Sequence, residues 1–397
     1  MVTLLLTVTV PVTPAVGSLR DDPWQFTKPV ASQGESALNA IAVATPTEAW
    51  AAGDERTAGG THQSLIGRWD GVALHRIPGA TDSDQPALDV RLADLDIAGE
   101  AVWAVGRATP AGDGAHRARI ERYSRTDPGA GAVFPVAAPD LHSELGGIDM
   151  VHAGLGWTVG TAGSAEDSTR PLIMRWDGTS WAEQAGPGPG TRTNRLNAVA
   201  ARSPWDVWAV GSSTSWERPG MSQILVLNYD GQSWAQVPAP DLGPHFNDLL
   251  GVTIVGDKEI MAVGYTGSPD EEPGHRQAVA LLYDGATWRV LPAADPRTTE
   301  FTGVAAIYGV EAWLAGYAMV DGVETAHIER FDGVTLRPSP IDPPIAPSAT
   351  NNFPATFLSD IAAGPPNSPL WAVGWRDVDV TPGRLGSTLR RNTVRQS

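Results

Sequence analysis

The 397-residue chain contains no cysteine. This absence excludes disulfide bonds, thiol nucleophiles and thiolate metal sites together, and it leaves the cellular compartment open. Lysine is almost absent as well, because Lys28 and Lys258 are the only two, and the formal net charge is −17. Nucleic-acid binding needs clustered basic side chains that displace counterions from phosphates. We therefore expect neither a nucleic-acid partner nor an anionic membrane surface.

Long apolar runs are also scarce. Residues 2–12 form one such run, and Ala15-Val16-Gly17 follows it as a step of small residues typical of a cleavage site, although no basic segment precedes it. We expect residues 1–18 to be a signal peptide and the protein to be secreted; the alternative is an apolar N-terminus without a targeting role. No other run is long enough to span a membrane, so we expect no membrane insertion.

A repeat of about 50 residues runs through the rest of the chain. One position of this repeat is tryptophan in six copies and methionine in one, at Trp50, Trp103, Trp157, Trp208, Met261, Trp313 and Trp371. A Leu or Phe stands 11 to 13 residues before each of them, in a short segment of alternating apolar residues. Seven copies of this length, each with short alternating segments, indicate the blades of a β-propeller.

Each copy predicts four short antiparallel strands. In five copies the third strand ends in an aromatic residue followed by Asp-Gly, as in Tyr229-Asp230-Gly231, which is a strong hairpin signal. Copy two differs, with Tyr123-Ser124 and a longer loop. In three copies a tryptophan opens the fourth strand, at Trp181, Trp234 and Trp288.

Copy seven ends after its third strand, which we expect near Thr388 to Val394. The N-terminal segment Trp24 to Pro29 has the pattern of a fourth strand, and we expect it to complete blade seven and close the ring. The predicted fold is all-β, a seven-bladed propeller of four-stranded blades, in one domain over residues 19–397.

The stretch from Leu196 to Gly211, Leu-Asn-Ala-Val-Ala-Ala-Arg-Ser-Pro-Trp-Asp-Val-Trp-Ala-Val-Gly, and the Tyr-Asp-Gly-x-x-Trp turn resemble the repeats of secreted actinobacterial β-propeller proteins of kelch or galactose-oxidase-like architecture. The resemblance covers nearly all of residues 24–394. It implies the fold and an extracytoplasmic setting, and it implies no particular activity.

Residues that recur in most blades are explained by packing between blades, so a binding site should use positions that vary. The residue after the second-strand glycine points to the mouth of the central channel and differs between blades: Asp54, Arg107, Thr161, Ser212, Tyr265, Tyr317 and Trp375. Trp216 lies further along one of the same loops. Aromatic rings beside a carboxylate and a guanidinium suit a sugar or another partly planar polar ligand. The predicted ligand-binding residues are Asp54, Arg107, Trp216, Tyr265, Tyr317 and Trp375; the alternative is that the aromatic rings plug the channel mouth.

Titratable residues mark the same face, where His142 with Glu144 and His245 with Asp248 precede first strands. His142, Glu144 and Asp248 are the candidate catalytic residues, and Arg91, Arg195 and Glu300 occupy matching positions as acids, bases or anion clamps. No metal-ligand spacing, nucleophile elbow or dinucleotide motif occurs, so we expect neither a metal site nor a cofactor.

Two functions remain open. The first is a monomeric secreted binding protein that recognises a small molecule, a carbohydrate, a peptide or a protein at the channel mouth. The second is an extracytoplasmic propeller enzyme, a lyase, cyclase or glycan-cleaving hydrolase, because propeller enzymes assemble sites from single residues on several blades.

Overall fold

A computed structural model describes residues 23–28, 32, 34–80, 88–112, 114–129, 131–136, 142–165, 168–187, 192–215, 217, 221–267, 276–307, 311–342, 356–377 and 384–391. The predicted signal peptide, residues 1–18, and Trp216 lie outside these ranges. Every regular element in the described part is a β-strand, and the strands form seven antiparallel blades.

The first six blades each contain four strands in sequence order. Blades one to three comprise β2 (Ser36–Thr45), β3 (Glu48–Arg56), β4 (His62–Trp69), β5 (Leu74–Ile77), β6 (Asp89–Ala98), β7 (Ala101–Thr109), β8 (Arg117–Ser124), β9 (Ala132–Phe134), β10 (His142–His152), β11 (Leu155–Ala165), β12 (Ser168–Trp176) and β13 (Trp181–Glu183). Blades four to six comprise β14 (Thr193–Ser203), β15 (Asp206–Thr214), β16 (Ser222–Tyr229), β17 (Trp234–Gln236), β18 (Phe246–Ile254), β19 (Ile260–Gly267), β20 (Gln277–Tyr283), β21 (Trp288–Leu291), β22 (Thr298–Ile307), β23 (Glu311–Val320), β24 (Val323–Phe331) and β25 (Leu336–Pro338).

Blade seven joins the two ends of the chain. Its first three strands are β27 (Thr356–Ala362), β28 (Leu370–Asp377) and β29 (Arg384–Arg391), so the third strand begins four residues earlier than expected. The N-terminal strand β1 (Trp24–Phe26) pairs antiparallel with β29, which confirms the predicted closure. A short strand from the connection after blade six, β26 (Ile341–Asp342), then pairs in parallel with β1 on its outer side. The N-terminal strand is therefore held between two strands.

The first, innermost strand of every blade carries a β-bulge directly after the Leu or Phe that recurs in the repeat. Next to the bulge, the backbone oxygen of the residue before this Leu or Phe lies against the second-strand glycine. A Cβ added at any of the seven glycines would lie 1.9 to 2.1 Å from that oxygen, at Gly53, Gly106, Gly160, Gly211, Gly264, Gly316 and Gly374. The glycine recurs because no side chain fits there.

The recurring tryptophans fill the spaces between blades. Trp157 of blade three packs edge-on against Trp234 of blade four, with ring centroids 5.5 Å apart. The same contact closes the ring, because Trp24 packs against Trp313 of blade six with ring centroids 5.9 Å apart. Both Trp24 and Trp313 are fully buried. Trp24 thus has the role in blade seven that Trp234 has in blade four.

The Asp-Gly segments form four-residue loops and not two-residue turns. In each loop one carboxylate oxygen of the Asp accepts the backbone N–H groups two and three residues later, as Asp230 does from Gln232 and Ser233. The following glycine has a positive φ, 94° at Gly231. All five predicted loops share this arrangement, at Asp70, Asp177, Asp230, Asp284 and Asp332.

Four carboxylates join neighbouring blades inside the channel. Each accepts a backbone N–H from the next blade: Asp94 from Ile148, Asp96 from Met150, Asp149 from Ala201 and Asp360 from Ile41. Burial raises the pKa of Asp149 to about 8 and the pKa values of Asp96 and Asp360 to about 6. Asp96 and Asp149 line a cavity of about 520 Å³ at the channel end opposite the predicted site.

Candidate functional site

Two side chains from each blade meet at the channel mouth. The residue before the recurring Leu or Phe pairs across the first and second strands with the residue after the second-strand glycine. The seven pairs are Ala37 with Asp54, Arg91 with Arg107, Glu144 with Thr161, Arg195 with Ser212, Asp248 with Tyr265, Glu300 with Tyr317, and Phe357 with Trp375. Directly opposed residues of antiparallel strands project to the same side, so each blade presents two side chains at this level.

The mouth contains two adjoining cavities. The first, of about 510 Å³, has charged and aromatic side chains in its wall, including Asp54, His62, Arg91, Arg107, Glu144, Phe357, Trp375 and Arg384. The second, of about 520 Å³, is lined by side chains that include Arg107, His116, His142, Glu144, Thr161, Arg195, Ser212, Asp248 and Tyr265. Because Arg107 and Glu144 belong to both walls, one elongated ligand could contact both cavities.

Glu144 lies between two arginines of neighbouring blades. Its carboxylate is 2.9 Å from Arg107 of blade two and 3.5 Å from Arg195 of blade four. The three side chains therefore form an ion-paired bridge across blades two, three and four. This bridge fixes the guanidinium groups at the boundary between the two cavities.

Asp248 is an enclosed carboxylate in the wall of the second cavity. It accepts a hydrogen bond of 2.7 Å from the side-chain amide of Asn197, which also bonds the backbone oxygen of Leu249. Burial raises the pKa of Asp248 to about 6, and it outweighs the opposing effects of Arg195, Ser212 and Asn197. Asp248 can therefore exchange a proton near neutral pH.

Asp54 has a corresponding environment in the first cavity. Asn39 donates to its carboxylate over 3.2 Å, and His62 lies 3.9 Å away. Burial raises the pKa of Asp54 above its ordinary value, and the charges of His62 and Arg91 lower it in part. His62 also contacts Asp89 at 3.1 Å, so this imidazole lies between two carboxylates.

The aromatic rings at the mouth are covered by other groups. Trp375 stacks on Phe357 with ring centroids 5.7 Å apart and planes 8° apart, and the Arg384 guanidinium lies 3.7 Å from the Trp375 ring centroid. The Arg276 guanidinium lies 4.1 Å from the centroid of Tyr265. Trp375 and Tyr265 therefore each have a cation over the ring.

Tyr317 is placed differently from the other predicted binding residues. It is only 3% exposed, its ring centroid is 4.9 Å from that of Phe357, and its hydroxyl lies 3.4 Å from Glu300. Arg276 donates to the same carboxylate over 2.7 Å. Tyr317 thus supports Phe357 and Glu300 from below and is not at the cavity surface.

The second cavity contains His142, one of the two histidines predicted on this face, together with His116. The rings of His116 and His142 pack edge-on with centroids 6.5 Å apart. His116 also contacts the Thr109 hydroxyl at 2.9 Å, whereas the buried Nδ1 of His142 has no hydrogen-bond partner among the described residues. His245 does not belong to the described wall of either cavity.

Four of the six predicted ligand-binding residues line the cavities: Asp54, Arg107, Tyr265 and Trp375. The three candidate catalytic residues His142, Glu144 and Asp248 line the second cavity. Sequence reasoning missed Phe357 and Arg384. Phe357 could have been found, because it precedes the recurring Leu or Phe as Arg91 and Glu144 do in other blades. Arg384 opens β29 and has no repeat position to mark it.

Neither a family model nor a curated protein matches the sequence. Many solved structures resemble the fold, and two of them match nearly the whole chain. One, described as YCF48 bound to a D1 peptide, is 14% identical, covers 96% of this chain and 100% of its own, and has a TM-score of 0.58. The other, described as the polysaccharide lyase PL25-Ulvanlyase bound to -[GlcA(1-4)Rha3S]-, is 8% identical, covers 95% and 96%, and also has a TM-score of 0.58. At these identities the likeness shows a common fold alone.

Two features are absent from the described part of the chain: a cluster of metal ligands and a long apolar helix. No group of three or more His, Asp or Glu residues there is arranged to hold a metal ion. The same residues include no helix with the length and apolarity to cross a bilayer.

Proposed function

We propose that the protein is a binding protein that holds a carbohydrate, a peptide or a segment of a protein partner at the channel mouth. The observation that carries the proposal is the pair of adjoining cavities, which share Arg107 and Glu144 and are lined by side chains from several blades. The two similar structures support it, since their descriptions name a bound peptide and a bound saccharide. Convergence of residues that the repeat does not fix is expected of a site, because packing alone would favour the same residue in each blade.

The test is a binding screen against glycan and peptide arrays, followed by titration of every hit. Arg107→Gln and Trp375→Ala each remove a side-chain group from the mouth. Each should weaken the binding of a ligand held there by about 1–3 kcal/mol. Trp205→Ala is the matched control, because Trp205 is 66% exposed in a turn on the opposite face. Hits that all three variants bind as well as the wild type would place binding elsewhere and reject the proposal.

A second candidate function is an enzyme that acts on the same ligand. It is favoured by one feature of the second cavity: Asp248, with its pKa raised to about 6, and the unpartnered Nδ1 of His142 lie in one wall. Incubation of each bound glycan or peptide with the protein, followed by mass spectrometry, would show a product. Product that disappears in Asp248→Asn and His142→Ala, with binding retained, would establish catalysis; intact ligand after long incubation would leave binding alone.

We also propose that the protein is exported and monomeric. The apolar residues 2–12, the Ala15-Val16-Gly17 step and the resemblance of the repeats to secreted actinobacterial propellers support export. Mature protein from the culture medium should begin near Ser18 or Leu19 and should elute with the mass of one chain. An intact Met1 on protein found only in the cytosol would refute export.

A further inference from the structure

The charged groups of the mouth are arranged in two layers. The acidic side chains lie deeper than the arginines that pair with them: Glu300 is 9% exposed and Arg276 is 35% exposed, while Glu144 is 24% exposed and Arg195 is 57% exposed. A carboxylate below a guanidinium holds it in place and leaves other N–H groups of the fork directed outward, because one ion pair uses at most two of the five. The surface that a ligand meets first is therefore rich in arginine, although the chain as a whole is strongly acidic.

Arginine also occupies the ring faces that a neutral sugar would stack on. Arg384 covers Trp375 and Arg276 covers Tyr265, at 3.7 and 4.1 Å from the ring centroids. A guanidinium stacked flat on an aromatic ring keeps its N–H groups in its own plane, available to a carboxylate or sulfate. The rings therefore act as platforms for cations and not as bare stacking surfaces.

Each of the two cavities has at least one arginine that the other cavity lacks. Arg91 and Arg384 belong to the first cavity, Arg195 belongs to the second, and Arg107 lies at their boundary. This spacing favours a ligand with repeated anionic groups over a ligand with a single charge.

The other polar side chains of the two cavities indicate which class of anionic ligand fits. Carboxylates of Asp54, Glu144 and Asp248 and hydroxyls of Thr161, Thr193 and Ser212 line the same cavities. Ionised carboxylates need hydrogen-bond donors and repel other anions. Sugar units supply several hydroxyl donors beside each acid group, whereas an acidic peptide supplies one backbone N–H per residue and a nucleic acid places a phosphate at every step.

We infer that the mouth binds an acidic oligosaccharide, in which sugar units carry carboxylate or sulfate groups that pair with Arg91, Arg107, Arg195 and Arg384. Sugar hydroxyls donate to Asp54, Glu144 and Asp248. This inference rests on the proposed function and goes beyond it in naming the ligand class.

The experiment compares acidic glycans with forms of the same glycans that lack some acid groups, with a neutral glycan and with an acidic polypeptide. Calorimetric titrations would use oligogalacturonate and its methyl ester, chondroitin sulfate oligosaccharides and their desulfated forms, neutral cello-oligosaccharides, and poly-L-glutamate. The acidic glycans should bind, the methyl ester and the neutral glycans should bind at least tenfold more weakly, and affinity should fall as salt increases. The carboxylate and sulfate pairs show which acid group is preferred.

Two arginine variants locate the interaction. Arg195→Gln and Arg384→Gln should each lower the affinity for the acidic glycan by about 10-fold to 100-fold. This is the range for a lost hydrogen bond to a charged group. Arg337→Gln is the matched control, since it breaks an exposed ion pair of the same kind, 2.9 Å from Asp332, at a hairpin loop on the opposite face. Its affinity and melting temperature should equal those of the wild type.

The outcomes separate this inference from the proposed function. A neutral glycan or poly-L-glutamate that binds as tightly as the acidic glycans, and loses affinity in Arg384→Gln, would overturn the inference and leave the mouth as a binding site. Failure of every acidic glycan to bind would overturn the inference too. If no ligand of any class responds to mouth variants, the proposed function fails with it.

Discussion

At the scale of single residues, the second-strand glycine explains how seven different blades can share one shape. The hydrogen atom that stands in place of its side chain faces a backbone carbonyl oxygen of the first strand. The residue that carries this oxygen and the residue after the glycine both point to the channel mouth. The glycine therefore fixes the backbone while its successor is free to vary. Function can change at the mouth without changing the strand geometry that presents it.

Gly211→Ala tests this contact. The added methyl group would lie 2.1 Å from the backbone oxygen of Arg195, so the inner strand must shift, and we expect a loss of about 1–3 kcal/mol or a failure to fold. Gly129→Ala is the control, because an added Cβ there meets no described atom within 4 Å. Thermal melting of the two variants should differ by several degrees, and equal melting temperatures would show that the strand relaxes without cost.

At the scale of elements, β1 has a double role. It completes the hydrogen bonding of β29, and its Trp24 covers Trp313 of blade six. The indole N–H of Trp24 also donates to the Ser339 hydroxyl over 3.2 Å, in the connection that provides β26. Three residues of strand thus connect the start of the chain to blade six, blade seven and the segment between them.

Trp24→Ala should remove much of that closure. Truncation of a fully buried tryptophan leaves a cavity and should cost about 3–5 kcal/mol. The 66% exposed Trp205 offers a matched substitution, Trp205→Ala, that should change stability little. Denaturant unfolding measures both, with sedimentation to detect association through an exposed edge of β29. A Trp24→Ala variant as stable as Trp205→Ala would mean that the ring holds without this contact.

Much of the element structure could be predicted from the sequence, because each prediction rested on a feature repeated in several blades. Trp50 and its equivalents, the Asp-Gly loops and the fourth-strand role of Trp24 all follow from the repeat. Strand β26 could not, since Ile341–Asp342 pairs in a Pro-rich connection with no alternating pattern. The covered state of Trp375 could not either, because Arg384 reaches it from another strand and no repeat position signals that contact.

At the scale of the whole molecule, acidic groups in the channel couple stability to pH. The buried Asp149 lies near Asp96, and both desolvation and this like charge raise its pKa to about 8. A carboxyl with a folded-state pKa above its unfolded value favours the folded state below about pH 4, and this contribution is lost as pH rises to about 8. Asp96 and Asp360 act in the same direction up to about pH 6.

Asp149→Asn should therefore stabilise the protein at alkaline pH. The amide oxygen can still accept the Ala201 N–H, now 2.8 Å from the carboxylate, and no charge has to be buried. We expect the variant to melt at least about 2 °C above the wild type at pH 8 and the difference to shrink toward pH 4. Asp177→Asn is a control with the opposite expected sign, because hydrogen bonds from Thr179 and Ser180 lower the pKa of Asp177 to about 2. This variant should be less stable than the wild type at pH 7. A pH-independent effect of Asp149→Asn would contradict the assignment.

The pairing of β1 with β29 in blade seven also has a consequence for folding during synthesis. Thr27 hydrogen bonds to the backbone of Thr388, a partner 361 residues further along the chain. Among the described residues the main strand packing joins neighbouring blades, so we expect the first six blades to stack while the ribosome is still translating. We therefore expect the N-terminal strand to stay unpaired until β29 has been synthesised. Until the two strands pair, Trp313 of blade six lacks the cover that the Trp24 indole provides.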